Sequence, residues 1–206
     1  MIKINNQIKI IGVTGNIGSG KSTVCEILKS FGGYLISADK ISHEIIMSLS
    51  PVYTELIKNF GVDILHDNSF EIDRKKLAEK VFNDSTQLQK LNEITHPHII
   101  KAIINEIKAF YFEQENYKYI VIEAPLLIET QLNKICDETW LIFADDDVKI
   151  KRLMQRDNLS QKEIENRLKY QLSFEDAKHH ADKIIVNNGG REELQNEVEK
   201  ILTCFV

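Results

Sequence analysis

The sequence contains few residues that interrupt regular structure, with 3 Pro, 9 Gly and 3 Cys among 206 residues. No apolar run approaches the ~18 residues that a membrane-spanning helix needs. The start carries no secretory signal pattern, so we expect neither a membrane anchor nor export. A basic excess is also missing. The formal net charge of −5 argues against a dedicated nucleic-acid surface.

The three cysteines, Cys25, Cys136 and Cys204, are far apart and form neither a CxxC pair nor a metal-ligand spacing. This pattern argues against a disulfide framework and favours buried or half-buried free thiols in a reducing compartment. We therefore predict a cytoplasmic location. No segment of the sequence points to an obligate protein partner.

Five short apolar runs alternate with longer helical patterns. We predict strands at 8–13, 34–36, 119–122, 140–143 and 184–186. After the first strand, Val24, Ile27, Leu28 and Phe31 recur at the spacing of one helix face, and Gly32–Gly33 is a stop signal for that helix. Strands that alternate with helices are typical of βαβ crossovers. The predicted class is α/β: a three-layer α/β/α fold with a mainly parallel five-stranded sheet.

The long interval between the second and third predicted strands has an almost wholly helical pattern. Turn or helix-start signals occur there at Ser50–Pro51, Asp73, Asp84–Ser85 and His96–Pro97. We predict a single domain in three parts. Its core is 1–59, 113–147 and 179–206, a helical insert is 60–112, and a second polar helical segment is 148–178.

The strongest motif runs from Gly15 to Ser22 and fits G-x-x-x-x-G-K-[ST] in full. A predicted strand precedes it and an amphipathic helix follows, so the backbone N–H groups of the loop can surround phosphate oxygens at a helix N-terminus. Lys21 would reach the β- and γ-phosphates, and the Ser22 hydroxyl would bind Mg²⁺. The residues predicted to bind ATP here are Asn16, Ile17, Gly18, Ser19, Gly20, Lys21, Ser22 and Thr23.

The rest of the chain narrows the class of P-loop protein. The Asn133–Lys134 pair lacks the Asp of the guanine-reading N-K-x-D element, which disfavours a GTPase. Glu123 ends the third predicted strand and is a candidate to hold a magnesium-bound water. A purely structural carboxylate is the equal alternative.

A small-molecule kinase also needs a carboxylate for the acceptor hydroxyl and basic groups over the phosphates. Asp39 follows the second predicted strand at the edge where ligands of parallel sheets bind, although it could instead cap the next helix. Lys149, Lys151, Arg152 and Arg156 offer the basic cover, with the two arginines on one helix face. The alternative is a solvated surface helix.

Further short elements complete an ordered set that resembles a known family. They are Ser37–Ala38–Asp39, His96–Pro97, Pro125–Leu126–Leu127–Ile128–Glu129, Gln155–Arg156–Asp157, Arg167 with Gln171, Ala181–Asp182 and Asn187–Asn188–Gly189. With the phosphate loop, this order is similar to that of the dephospho-coenzyme A kinases over about residues 10–188. The chain departs from the family at Ser37, where the family has Asp, and at Ile128, where it has Phe.

The resemblance implies a kinase that phosphorylates the ribose 3'-hydroxyl of dephospho-coenzyme A with ATP and Mg²⁺. It also implies that the helical insert 60–112 binds the acceptor and that the segment 148–178 is a lid. It implies that Asp39 acts on this hydroxyl, with Lys21 and Arg156 as the other catalytic groups. By family position, His96, Arg167 and Gln171 would bind the acceptor, and Arg152 and Asn188 would bind ATP. A helix-start role is the alternative for His96.

Two other functions stay open at this point. A kinase of the nucleoside-monophosphate group would share the loop and the lid and differ in its acceptor pocket. A nucleotide-binding regulator without transfer activity would keep the loop alone. The joint presence of Lys21, Ser22, Asp39 and the lid arginines disfavours the regulator.

Overall fold

A computed structural model describes residues 8–47, 50–81, 84–113, 117–157, 160–169 and 171–205, apart from the side chains at 112, 113, 166 and 167. The chain divides into two compact units. The sheet unit is Met1–Ser37 with Gln114–Val206, and the helical unit is Ala38–Glu113.

The sheet unit is built on five parallel strands. They are β1 (Lys9–Thr14), β2 (Gly33–Ser37), β3 (Tyr119–Glu123), β4 (Glu138–Phe143) and β5 (Lys183–Val186). Their order across the sheet is β2-β3-β1-β4-β5, and every neighbouring pair is parallel. The predicted α/β fold with a parallel five-stranded sheet is confirmed.

Nine α-helices occur in the described residues. They are α1 (Lys21–Ser30), α2 (Ala38–Ile45), α3 (Pro51–Phe60), α4 (Arg74–Val81), α5 (Ser85–Glu113), α6 (Asp146–Asp157), α7 (Gln161–Leu168), α8 (Phe174–Ala177) and α9 (Arg191–Phe205). Short 3₁₀ turns cover Val62–Ile64, Leu132–Ile135 and Lys178–His180. No helix in the described ranges has the length and apolar character needed to cross a bilayer.

The core of the sheet unit explains why its strands are continuous apolar runs. All five residues of β3 are buried, as expected for a parallel strand covered on both faces. Val24 and Leu28 of α1 share one core cluster with Leu194 and Val198 of α9. Burial of each such aliphatic side chain stabilises the fold by roughly 1.5–3 kcal/mol.

The helical unit has its own core, and three of its four predicted turn or helix-start signals mark helix starts. Asp73 accepts a hydrogen bond from Lys75 N at 2.9 Å at the start of α4. Ser50 accepts a hydrogen bond from Tyr53 N at 2.9 Å, with Pro at the first helical position of α3. Asp84 accepts one from Thr86 N at 2.8 Å at the start of α5. The fourth signal, His96–Pro97, is wrong as a helix start, because α5 continues through Pro97.

The helix tolerates Pro97 although an interior proline costs about 3 kcal/mol or more. Contacts of α5 with α2, α3 and α4 hold it in the unit, so tertiary packing outweighs the local penalty. The same contacts with α2 make Ala38 the first residue of the helical unit. The predicted insert begins later, at residue 60, because no residue pattern in the sequence indicates that α2 packs on α5.

Candidate active site

The candidate site lies in the sheet unit at the carboxyl end of β1. The loop of residues 15–20 leaves β1 between β3 and β4 and leads into α1. Val13 of β1 lies in register with Glu123 of β3, so the Glu123 carboxylate at the end of β3 lies beside the loop. This is the edge at which parallel sheets bind ligands.

Glycine is required at both ends of this loop. Gly15 has φ +143°, and a Cβ there would lie 2.2 Å from the carbonyl oxygen of Ile142. Gly20 has φ +95°, and a Cβ there would lie 2.1 Å from Nδ2 of Asn187. Gly20 also holds the N-cap position of α1 without a side-chain cap, which leaves first-turn N–H groups open to an anion. Asn16, Ile17 and Gly18 form the turn between these ends, and Thr23 is half-buried in the first turn of α1.

The Lys21 ammonium folds back over the loop. Its Nζ donates to the carbonyl oxygens of Gly15 at 2.8 Å and Asn16 at 3.3 Å. A phosphate oxygen could exchange for these neutral carbonyls with a gain, since bonds between two ionised groups are the stronger ones. Lys21 therefore lies where the motif predicts.

Ser22 and Glu123 form a direct contact. The Ser22 hydroxyl donates to Glu123 Oε1 at 2.7 Å. Because the hydroxyl proton points to the carboxylate, the oxygen lone pairs of Ser22 stay available to a cation. The contact shows that Glu123 lies at the loop, as its position at the end of β3 predicts.

Gln171 lies at the loop as well. Its Oε1 accepts a hydrogen bond from Ile17 N at 2.8 Å, so a neutral side-chain carbonyl occupies an N–H group of the phosphate loop. The resemblance placed Gln171 with the acceptor, whereas its described contact is with the nucleotide loop. For its companion Arg167, only the backbone in α7 is described, and the side chain lies outside the described residues.

The basic side chains of α6 differ from one another. Arg156 makes a two-point ion pair with Asp157, at 2.7 and 2.8 Å, and this hydrogen-bonded carboxylate raises the pKa of Arg156. Lys149 is buried and lies 2.7 Å from Asp146. Lys149 is therefore the inward-facing member of the predicted basic cover.

Arg152 binds the turn after β5. It donates to the main-chain oxygen of Asn187 at 2.9 Å and to its side-chain oxygen at 3.4 Å. The Asn187 amide in turn donates to the carbonyl oxygen of Ser19 at 2.8 Å, in a buried contact. Asn188, one of the residues predicted to bind ATP, exchanges hydrogen bonds with Asp145 at 2.9 and 2.8 Å.

In the sequence, Asn187 is singled out only as part of the Asn187–Asn188–Gly189 element, whereas in the structure it is the buried polar residue of this turn. A signal was available: an Asn directly after a strand, at the edge where the phosphate loop also lies. Only the sheet order, with β4 between β1 and β5, turns this signal into a contact.

Cys25 lies in α1 close to these groups but is inert. Burial raises the pKa of its thiol well above the usual value, and the Glu123 carboxylate raises it further. The thiol therefore stays protonated, as expected for a structural cysteine.

The other two cysteines differ in exposure. Cys136 is half-buried, but Cys204 is exposed, so the expectation of buried or half-buried thiols is wrong for Cys204.

Two predicted residues belong to the helical unit. Asp39 is the second residue of α2 and follows the last residue of β2 by two positions. Asp39 is not the N-cap of that helix, which was its alternative role, because α2 already begins at Ala38. An acidic side chain in the first turn still favours the helix through its dipole.

His96 lines a groove along one face of α5. The groove has a volume of about 590 Å³ and is lined by Ser85, Leu88, Gln89, Asn92, Glu93, His96 and Pro97. Burial lowers the pKa of His96 below its ordinary 6.5, so the ring is neutral at pH 7. The helix-start role considered for His96 is excluded by the same finding that places Pro97 inside α5.

Comparison with known proteins adds a family. The family model CoaE, dephospho-CoA kinase, matches residues 9–193 of the chain. The dephospho-CoA kinase of Fusobacterium nucleatum is 40% identical over 194 residues, which cover 94% of this chain and 97% of that protein.

Solved structures are similar over nearly the whole chain. The dephospho-CoA kinase of Campylobacter jejuni has a TM-score of 0.67 and 32% identity, covering 94% of this chain and 95% of that one. The protein TT1252 of Thermus thermophilus has a TM-score of 0.80 and 28% identity, covering 98% of this chain and 100% of that one.

Proposed function

This chain belongs to the dephospho-CoA kinase family, and we propose that it transfers the γ-phosphoryl group of ATP to the ribose 3'-hydroxyl of dephospho-coenzyme A. The observation that carries the proposal is the loop of residues 15–22, with its glycine turns, the Lys21 ammonium and the Ser22 hydroxyl. The family supplies the acceptor, and the loop supplies the donor site.

The loop and Lys21 would bind the triphosphate and orient its γ group. Backbone N–H groups would bind the phosphate oxygens once Gln171 leaves Ile17 N, and the ammonium adds charge where negative charge develops. To bind phosphate, the Lys21 ammonium would give up its hydrogen bonds to the carbonyl oxygens of Gly15 and Asn16. Until then these bonds keep the ammonium beside the loop.

Ser22 and Glu123 fit a magnesium ion. Mg²⁺ prefers oxygen ligands and takes few of them from protein, keeping water and phosphate oxygens for the rest. No cluster of three or more His, Cys, Asp or Glu suited to a metal occurs in the described residues, which agrees with such a sparse site. When bound, the ion would neutralise charge on the β- and γ-phosphates. Ser22 would be its ligand, and Glu123 would hold the Ser22 hydroxyl or a water.

Asp39 is our candidate for the group that orients the acceptor hydroxyl and accepts its proton. In a loose phosphoryl transfer this proton leaves late, so the main task of the carboxylate is to orient the hydroxyl. The replacement of the family's first Asp by Ser37 leaves Asp39 as the acidic residue of this element.

Arg156 would add positive charge to the transferring group. It must first leave Asp157, but a largely exposed ion pair contributes only about 0–1 kcal/mol. A triphosphate carries several negative charges and can therefore compete for the guanidinium. His96 and the α5 groove would bind the acceptor, with Arg167 as a further contact.

A cytoplasmic location and the lack of nucleic-acid or obligate protein partners remain part of the proposal. The free state of all three cysteines and the net charge of −5 support it.

A panel of acceptors tests the function. Purified protein with Mg²⁺ and ATP should release ADP with dephospho-coenzyme A and not with nucleosides or nucleoside monophosphates, and the product should carry its new phosphate at the 3' position. Transfer to a nucleoside monophosphate instead would assign the chain a different acceptor. ATP binding without transfer to any acceptor would favour the regulator.

A further inference from the structure

The turn after β5 reaches into the phosphate loop through one side chain. Asn187 is 6% exposed, and its Nδ2 donates to the carbonyl oxygen of Ser19 at 2.8 Å. Its own N–H donates to Phe143 O at 2.7 Å, which extends the pairing of β5 with β4. Asn187 is thus fixed to the sheet and to the loop at once.

The orientation of the Asn187 amide is determined by its two neighbours. Arg152 Nη2 lies 3.4 Å from Oδ1, and the Ser19 carbonyl lies 2.8 Å from Nδ2. A flipped amide would place two donors together on one side and two acceptors together on the other. Arg152 also holds the main-chain oxygen of Asn187 at 2.9 Å, so the amide has one favourable position.

The hydrogen bond from Asn187 to the Ser19 carbonyl also affects the direction of the next backbone N–H group, that of Gly20. The C=O of Ser19 and the N–H of Gly20 belong to one planar trans peptide and point in opposite directions. With the carbonyl held toward Asn187, the Gly20 N–H must point away from it. At Gly20, φ is +95°, in a region where the backbone has other orientations available and needs an external restraint.

We propose that Asn187 is a positioning residue for the phosphate site: by holding the Ser19 carbonyl, it aims the Gly20 N–H at the bound polyphosphate. The inference rests on the proposed function for the identity of the ligand. Close packing supports it, because a Cβ at Gly20 would lie 2.1 Å from Nδ2 of Asn187. Position 20 therefore has no room for any side chain beside Asn187.

Two variants test the proposal by calorimetric binding of ADP and of pyrophosphate. Asn187→Ala removes the donor, and Asn187→Asp keeps the shape but places a carboxylate oxygen against the Ser19 carbonyl. We expect both ligands to bind about tenfold more weakly to Asn187→Ala, the scale of one hydrogen bond to a charged group. We expect a larger loss for Asn187→Asp. Weaker ADP binding with unchanged pyrophosphate binding would overturn the proposal, since the residue would then act on the nucleoside.

A matched control separates positioning from stability. Asp182, just before β5, accepts a hydrogen bond from Thr139 N at 2.8 Å. Asp182→Ala therefore removes a similar hydrogen bond at the amino end of β5, whereas Asn187 follows its carboxyl end. It should lower thermal stability and leave pyrophosphate affinity unchanged. In the nuclear magnetic resonance spectrum, the Gly20 amide should shift downfield with ADP in the wild type and in Asp182→Ala, and much less in Asn187→Ala. An equal shift in all three proteins contradicts the proposal.

The proposed function and this inference fail in different ways. Wild-type protein that binds neither ADP nor pyrophosphate would remove the kinase assignment itself. Wild-type protein that binds both, with unchanged affinity in the two Asn187 variants, would remove only the role of Asn187.

Discussion

The phosphate loop of the sheet unit and the groove of the helical unit are built in different ways, and only the loop leaves a motif in the sequence. In the sheet unit, the site is made of backbone groups whose geometry requires glycine at fixed positions, such as Gly15 and Gly20. In the helical unit, the groove is one face of α5, lined by ordinary helix residues. A backbone site constrains residue types strictly, whereas a helix face admits many combinations.

The largest effect is expected for a substitution in the sheet unit that removes the Lys21 ammonium from the phosphate loop. Lys21→Ala should lower kcat/KM by about 10³-fold, because one preorganised donor to the transferring group has this scale. Steady-state kinetics provide the measurement, and Lys29→Ala in the exposed last turn of α1 is the control. Binding of dephospho-coenzyme A without nucleotide should not change. A parallel loss of acceptor binding would break the division of roles between the units.

The second effect concerns the first helix of the helical unit. Asp39→Asn should lower turnover by at least ~100-fold, the scale of general-base catalysis, and leave the Kd of ATP unchanged. Glu44→Gln removes a negative charge from the exposed part of the same helix and should have little effect. Normal turnover in Asp39→Asn would exclude Asp39 as the catalytic carboxylate.

A third, smaller effect tests the Ser22–Glu123 contact. Glu123→Gln should raise the Mg²⁺ concentration for half-maximal activity about tenfold, because the amide lacks the charge that favours the cation. A magnesium titration at fixed ATP measures it. Glu138→Gln alters the same residue type at the amino end of β4 and serves as the control. An unchanged magnesium requirement would make Glu123 a structural carboxylate.

The smallest effect has the opposite sign. Gln171→Ala should tighten ATP binding about 2- to 10-fold, because the ligand no longer displaces a hydrogen bond of about 0.5–1.5 kcal/mol from Ile17 N. Calorimetry with ATP alone measures this, with Gln161→Ala in α7 as the control. Weaker binding in Gln171→Ala would mean that the side chain contacts the nucleotide rather than competing with it.

The sequence predicted those parts of the fold that depend on local chemistry. Continuous apolar runs such as Tyr119–Glu123 and the glycine loop before Lys21 identified the parallel sheet and the phosphate site. The position of Glu123 beside Ser22 also followed from strand ends meeting at one edge.

Features that depend on tertiary packing were not predictable in this way. Pro97 is a local signal against helix that the contacts of α5 override. The role of Asn187 depends on which strand neighbours β4, which the sequence does not state. The ion pair of Arg156 with the adjacent Asp157 competes with the phosphate contact that charge spacing alone suggests.

Pro97 also affects the local dynamics of α5. Proline has no amide hydrogen, so the carbonyl of Glu93 cannot receive the usual bond from four residues along. One rung of the helical ladder is therefore missing in the middle of the longest helix. Backbone deuterium uptake should therefore be faster at this turn than in the other interior turns of α5.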